Sequence, residues 1–200
     1  MVQNGGIMKK STIRVTIVSL VLILGVVGYY TYLSQRSRKA SADATLTKVQ
    51  SILSRDLKKD YPPSPKEVVK YFTELQKCLY NEECTAEEIQ QLGMQARGLY
   101  DAELLEINPV DDYIPRLKGE VDSFHEEEKR IISISLPASL SVDRFEEDGF
   151  EFARLYCRYK VNEKGESSEM QIIYLLRRDD KKLWKIYGWE RADNVEMPEE

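Results

Sequence analysis

Residues 153–189 read ARLYCRYKVNEKGESSEMQIIYLLRRDDKKLWKIYGW. Apolar and polar residues alternate through this stretch with a period of two. Ala153, Leu155, Cys157, Tyr159 and Val161 share one parity; Arg154, Tyr156, Arg158 and Lys160 share the other. After Asn162–Ser167, which contains Gly165, the alternation resumes with Met170, Ile172, Tyr174 and Leu176. Two alternating runs joined by a short glycine-bearing turn predict an antiparallel hairpin with one buried face. Asp179-Asp180 then predicts a turn into a last strand, in which Trp184 and Ile186 share one face. Leu183, Lys185, Tyr187 and Trp189 fall on the opposite face unless a bulge at Gly188 changes the register. Lys185 marks that opposite face as the outer one, so Trp184 is expected to face the interior.

The pattern upstream is different. Val68, Phe72, Leu75 and Leu79 recur at helical spacing behind Ser64-Pro65-Lys66-Glu67, which predicts an N-cap, a proline in the first turn and a capping box. Thr85 and Glu88 repeat the box ahead of Ile89, Leu92, Ala96 and Leu99. A third periodic run, Tyr113, Leu117, Val121 and Phe124, follows Asn108-Pro109, with Pro115 predicted to kink it or mark its first turn. Leu46, Val49, Leu53 and Leu57 predict a shorter helix that either extends a stalk or covers the domain. Beyond Lys129 the period becomes two, with Ile132, Ile134 and Leu136 alternating with Ser133 and Ser135. Helices followed by an antiparallel sheet make an α+β layout, with the helices on one sheet face.

The N-terminal part belongs to another class. Ile13–Leu33 is 21 residues with one charge, Arg14, near its start. At about 1.5 Å per residue it would span a hydrocarbon core of roughly 30 Å. Tyr29, Tyr30 and Tyr32 cluster at one end, as interfacial rings do. The stretch is too long for a signal-peptide apolar region, and Ala40-Ser41-Ala42 lies beyond Arg36, Arg38 and Lys39, so an uncleaved anchor is expected. The predicted organisation is a short tail (1–12), a single-pass anchor (13–33), a basic stalk with a short helix (34–60), an α+β domain (61–191) and an acidic tail (192–200). Basic residues flank the span equally. The short N-tail therefore decides the orientation, placing it inside and the domain outside the cell.

Charge divides the same way. Residues 1–60 carry ten Lys/Arg against three Asp/Glu; the remainder carries nineteen against thirty-one. An acidic domain lacks the basic footprint that nucleic acid requires. The basic part reads either as attraction to anionic lipid or as a solvated stalk.

Helices followed by a long antiparallel sheet, ending in a charged turn and Trp184-Lys185-Ile186, resemble the nuclear transport factor 2-like fold, a curved sheet wrapped round helices as a cone with an internal pocket. The resemblance covers residues 61–191. The segments LSRDLKKDYPPSPKEVVKYF (53–72) and NEECTAEEIQQLGMQARGLYDAELL (81–105) are similar to a family of membrane-anchored proteins of Gram-positive gut bacteria. Neither resemblance transfers a catalytic residue.

The residues identify no catalytic set of their own. The one histidine, His125, lies in SFHEEEKR, a solvated helix end. No ligand set has metal spacing, and no phosphate loop, nucleophile elbow or cofactor motif occurs. If a cone pocket exists, Trp184, Tyr159, Tyr174 and Ile186 are the candidates to line it, with the tyrosines offering orienting hydroxyls. Cys78 and Cys84, at the end of one helix and the start of the next, are either a candidate disulfide across the turn between them or two unrelated thiols, and Cys157 a small buried hydrophobe. The expectation is a non-enzymatic, membrane-tethered domain at the cell surface that binds a partner protein or a small apolar ligand. The alternatives are a small isomerase- or dehydratase-like enzyme and an envelope assembly subunit. Protease added to intact protoplasts should remove the residues beyond about Arg36 and leave an anchored stub. Full protection that ends on lysis would reverse the orientation.

Overall fold

The computed structural model describes residues 47–138 and 142–192. The expected span at 13–33, residues 34–46 of the stalk and the tail beyond Ala192 lie outside the described residues. Among the described residues no helix is long and apolar enough to cross a membrane. The folded unit starts at Thr47.

Five helices come first, and side-chain caps set most of their starts. In α1 (Lys48–Leu53), Thr47 and Gln50 form a reciprocal capping box, with N–H···O distances of 3.1 and 3.2 Å. Val49 is buried, so this helix covers the domain. In α2 (Pro65–Asn81), Ser64 Oγ accepts from the Glu67 amide and Pro65 occupies the first turn. Pro62 and Pro65 are fully buried, which fixes the entry of the chain. In α3 (Ala86–Arg97), Thr85 and Glu88 close the expected box at 2.8 and 3.2 Å. A short helix, α4 (Ala102–Glu106), went unforeseen because its cap, Asp101, is followed by a single turn with too few residues to show a period. The last helix is α5 (Val110–Glu126), and Pro115 sits inside it rather than in its first turn.

The sheet is antiparallel and open. Its strands are β1 (Lys129–Ser135), β2 (Asp143–Glu147), β3 (Phe150–Glu163), β4 (Glu166–Arg178) and β5 (Trp184–Arg191). They run β1-β3-β4-β5, and β2 pairs with the other end of β3 on the same side as β1. The β3–β4 hairpin turns on Lys164-Gly165, both with positive φ, the geometry whose twist matches paired strands. Asp148-Gly149 does the same between β2 and β3. Strand β2 was not expected, because DRFEE carries one apolar residue and its acidic end read as a solvated turn.

Two register shifts change which residues face inward. In β1, Ile131 pairs with Val161 and Ser133 with Lys160, leaving Ile132 as the extra residue. Ile131 is therefore buried while Ile132 is 46% exposed, so the inward row is Ile131 and Ile134 rather than Ile132 and Ile134. In β5, Leu176 pairs with Ile186 but Leu175 with Gly188, so Tyr187 is extra. The exception allowed at Gly188 thus holds. Trp189 lies opposite Tyr174 and turns to the inner side, against Phe72, Tyr100 and Tyr174 at 5.6–6.3 Å between ring centroids.

The inward row from Ala153 to Val161, with Tyr174, Leu176, Trp184 and Ile186, joins Val68, Phe72, Leu75, Leu92 and Val121 of the helices in one core. At the free edge of β5 the backbone of Leu99–Asp101 docks alongside. The Ile186 amide donates to Leu99 O and the Asp101 amide to Ile186 O, each at 2.8 Å. Arg177 locks this junction. Its guanidinium grips the buried Asp101 carboxylate through two bonds of 2.5 and 3.1 Å and reaches Glu103 at 2.7 Å. The rings of Phe150 and Tyr187 each lie 4.8 Å from the guanidinium carbon. Removing one partner from a buried pair strands the other, so Arg177→Met should cost about 3–5 kcal/mol. Arg177→Lys, without the planar fork, should recover only part of this. Urea unfolding of the two variants measures both.

Candidate functional site

The cleft most suited to a ligand lies between the helices and the inner end of β5. It has a volume of about 450 Å³, within the usual range of small-molecule sites. Six aromatic residues line it: Phe72 and Tyr80 of α2, Tyr100, Tyr113 of α5, and Tyr187 and Trp189 of β5. Leu75, Leu79, Leu104 and Leu117 add aliphatic wall. Each position follows from a local rule. Helical spacing brings Phe72, Leu75 and Leu79 onto one face of α2, the β5 bulge turns Trp189 inward, and the docking of Leu99–Asp101 on β5 carries Tyr100 to the wall.

Polar groups in the cleft are few and mostly committed. Tyr100 and Tyr113 hydroxyls are 3.4 Å apart. Tyr80 donates to Glu120 Oε2 at 3.4 Å. Arg116 donates to Asn108 Oδ1 at 2.6 Å, and its Nε lies 3.8 Å from Glu120 Oε1. Arg97 and Arg116 both approach the Tyr113 ring, at 5.2 and 5.9 Å. Burial pushes the phenols of Tyr80, Tyr100 and Tyr113 above their ordinary value of 10.0. They are therefore neutral donors and acceptors near neutral pH, suited to orienting a ligand.

The residues expected at the pocket lie elsewhere. Trp184, Tyr159, Tyr174 and Ile186 are all buried, and none of them is among the residues lining this cleft. Ile186 is held by the Leu99–Asp101 bridge. Trp184 is packed inward, with the guanidinium carbons of Arg144 and Arg178 each 5.7 Å from its ring. Tyr159 donates to Gln76 Oε1 at 2.6 Å, and its oxygen is 2.6 Å from that of Tyr174. Gln76 also lines the cleft, so these hydroxyls form a buried layer behind its wall. Trp189, the residue that the sequence reading missed, was assigned outward by strand parity; Gly188 was the one signal that could have brought it in.

The remaining candidates are quickly placed. Cys78 and Cys84 are free thiols, with Cys84 Sγ 3.9 Å from Cys78 O. Burial pushes Cys84 up to about 11 and Cys157 up to about 12. His125 is exposed and its Nε2 donates to Tyr80 O at 3.0 Å. Among the described residues no group of three or more His, Cys, Asp or Glu could hold a metal ion.

The buried hydroxyl layer has a pH signature. Desolvation raises the phenols of both Tyr159 and Tyr174 above 10.0. A group with a raised folded pKa contributes stability that is whole below its unfolded value and is lost as pH rises through the folded one. The contribution of this layer should therefore be level up to about pH 10 and fall above it. Tyr159→Phe/Tyr174→Phe should start less stable at pH 8 yet lose less between pH 9 and 11, as read by urea midpoints.

No curated protein matches this chain. A family model described as domain of unknown function DUF6715 matches residues 7–189. That match takes in all five helices, most of the sheet and every residue lining the aromatic cleft, and the chain belongs to the DUF6715 family.

Proposed function

We propose that this chain is a membrane-tethered, non-enzymatic binding domain, held at the cell surface by residues 13–33, whose aromatic cleft takes a small, largely apolar ligand with a flat ring. The observation that carries the reading is the wall itself. Six aromatic residues converge on about 450 Å³ with one Arg116–Glu120 pair and two amides, Gln76 and Asn108, beside them. Rings supply large contact area and stacking at little conformational cost. The polar groups suit an oriented hydroxyl or carbonyl on the ligand. The helices-then-sheet order, with a cleft between the layers, supports the cone-shaped relationship expected from residues 61–191. The 21-residue apolar stretch supports the anchor.

A second reading has one observation in its favour. Ile107 is 75% exposed and Trp189 43% exposed, and both line the cleft. An apolar side chain of a partner protein could seat between them in place of a free ligand.

The test uses the full chain in neutral detergent micelles. Trp184→Phe leaves Trp189 as the reporter, and a library of small aromatic compounds is screened for saturable change in its emission. Hits should bind at least about tenfold more weakly by calorimetry after Trp189→Ala, a loss of about 1.4 kcal/mol. Unchanged affinity in Trp189→Ala would remove the cleft as the site. Turnover of any compound by the unmodified chain would replace the binding reading with the enzymatic one.

A further inference from the structure

On another face of the domain the balance of charge inverts. The loop after α1 and the turn before β5 enclose a groove of about 780 Å³. Its charged lining is Arg55, Lys58, Lys59, Lys181 and Lys185 against a single carboxylate, Asp56. This concentration stands in a chain that holds twenty-nine Lys/Arg against thirty-four Asp/Glu. A smaller groove of about 430 Å³ continues from it past Gly98, Lys181, Leu183 and Lys185.

The local carboxylates leave part of this charge uncompensated. Asp56 is engaged with Lys59 at 3.5 Å, and Asp60 with Arg55 at 3.1 Å. Asp179 Oδ1 accepts from the Leu183 amide at 2.8 Å and so serves the turn. Lys58, Lys181 and Lys185 have no carboxylate within ion-pair distance among the described residues.

Lys185 is the informative member. It is half-buried, and its Nζ donates to Gly98 O at 2.9 Å and sits 4.4 Å from the centre of the Tyr61 ring. Tyr61 is itself fixed, donating to Trp184 O at 2.7 Å. Gly98 is fixed too, its amide donating to Met94 O at 3.2 Å and to Gln95 O at 3.1 Å at the end of α3. A carbonyl and a ring face thus hold an ammonium in one place while desolvation works against its charge, an effect that the more distant carboxylates of Asp179 and Asp101 offset only in part. An ammonium so placed, with two further unpaired lysines beside it, leaves a cost of desolvation that an incoming anion would offset.

We infer that the groove between residues 55–61 and 179–185 is a binding site for a phosphate-bearing anion of two or more charges, with Lys185 as its fixed contact and Lys58 and Lys181 as mobile ones. This site is separate from the aromatic cleft and does not depend on the function proposed for it. The shared chemistry is phosphate charge of two or more, carried on one molecule or summed over adjacent singly charged headgroups. Its source is either a soluble oligophosphate or the headgroups of an anionic membrane.

The experiment separates the two. The full chain in neutral maltoside micelles is titrated with inorganic tripolyphosphate by calorimetry, and in parallel with micelles doped with phosphatidylglycerol or, as control, phosphatidylcholine. Saturable binding of tripolyphosphate or of phosphatidylglycerol is expected, weakened at least about fivefold by Lys185→Gln and by Lys58→Gln/Lys181→Gln, and reduced by added salt. The double variant alters exposed residues only, so it serves if Lys185→Gln fails to fold. Lys118→Gln, on α5, should leave binding unchanged. Response to tripolyphosphate assigns a soluble source; response to phosphatidylglycerol alone assigns the membrane. Absence of saturable binding in both arms, or equal loss in Lys118→Gln, would overturn the site.

Discussion

The contact between Arg177 and Asp101 holds the two layers of this protein in register. Asp101 caps α4, its amide bonds to the edge of β5, and its carboxylate receives the guanidinium fork from β4. One side chain thus belongs to a helix, a sheet edge and an ion pair at once. Its burial makes the arrangement demanding, because an isolated charge in that place is expensive. The arrangement is stable only when Leu99–Asp101 lies against β5, and that position brings Tyr100 to the cleft wall. The aromatic cleft is in this sense a by-product of closing the sheet edge.

Closing that edge also limits unwanted pairing. An open strand edge offers its free amides and carbonyls to other chains. On β5 part of that offer is taken up by Leu99 O and the Asp101 amide. At the opposite side β1 and β2 divide the length of β3 between them, and the charged DRFEE strand and the bulged Ile132 make poor templates for further addition.

What was legible in the sequence follows from how far each signal reaches. The capped helices were readable because a cap and its apolar stripe lie within a few residues: Thr85 with Glu88, Ser64 with Pro65. The β3–β4 hairpin was readable because alternation persisted from Ala153 to Val161 and again from Met170 to Leu176, on either side of a glycine turn. The α+β class followed from those two patterns. The bulge at Ile132 was not legible, and the one beside Gly188 showed only as an alternative, since one inserted residue leaves composition intact while reversing the facing of everything after it. The pocket candidates therefore centred on Trp184, whereas Trp189 lines the cleft. The clamp of Arg177 on Asp101 joins positions 76 apart, beyond any local pattern. The basic groove is likewise assembled from the separate segments 55–61 and 179–185.

The distance in sequence between Gly98 and Lys185, 87 residues, bears on how the chain assembles. Capped helices and a tight hairpin can form from neighbours within microseconds. The bridge from Leu99–Asp101 to Ile186 closes a loop that contains α4, α5 and four strands, so its entropy cost falls late in folding. Until it closes, Val68, Phe72, Leu75 and Leu92 have helices around them but no completed sheet over them. During synthesis the helical half emerges well before β5, leaving an interval in which that apolar face is uncovered and open to chaperone capture. The same long-range closure that shapes the cleft therefore sets the period of greatest exposure in the life of the chain.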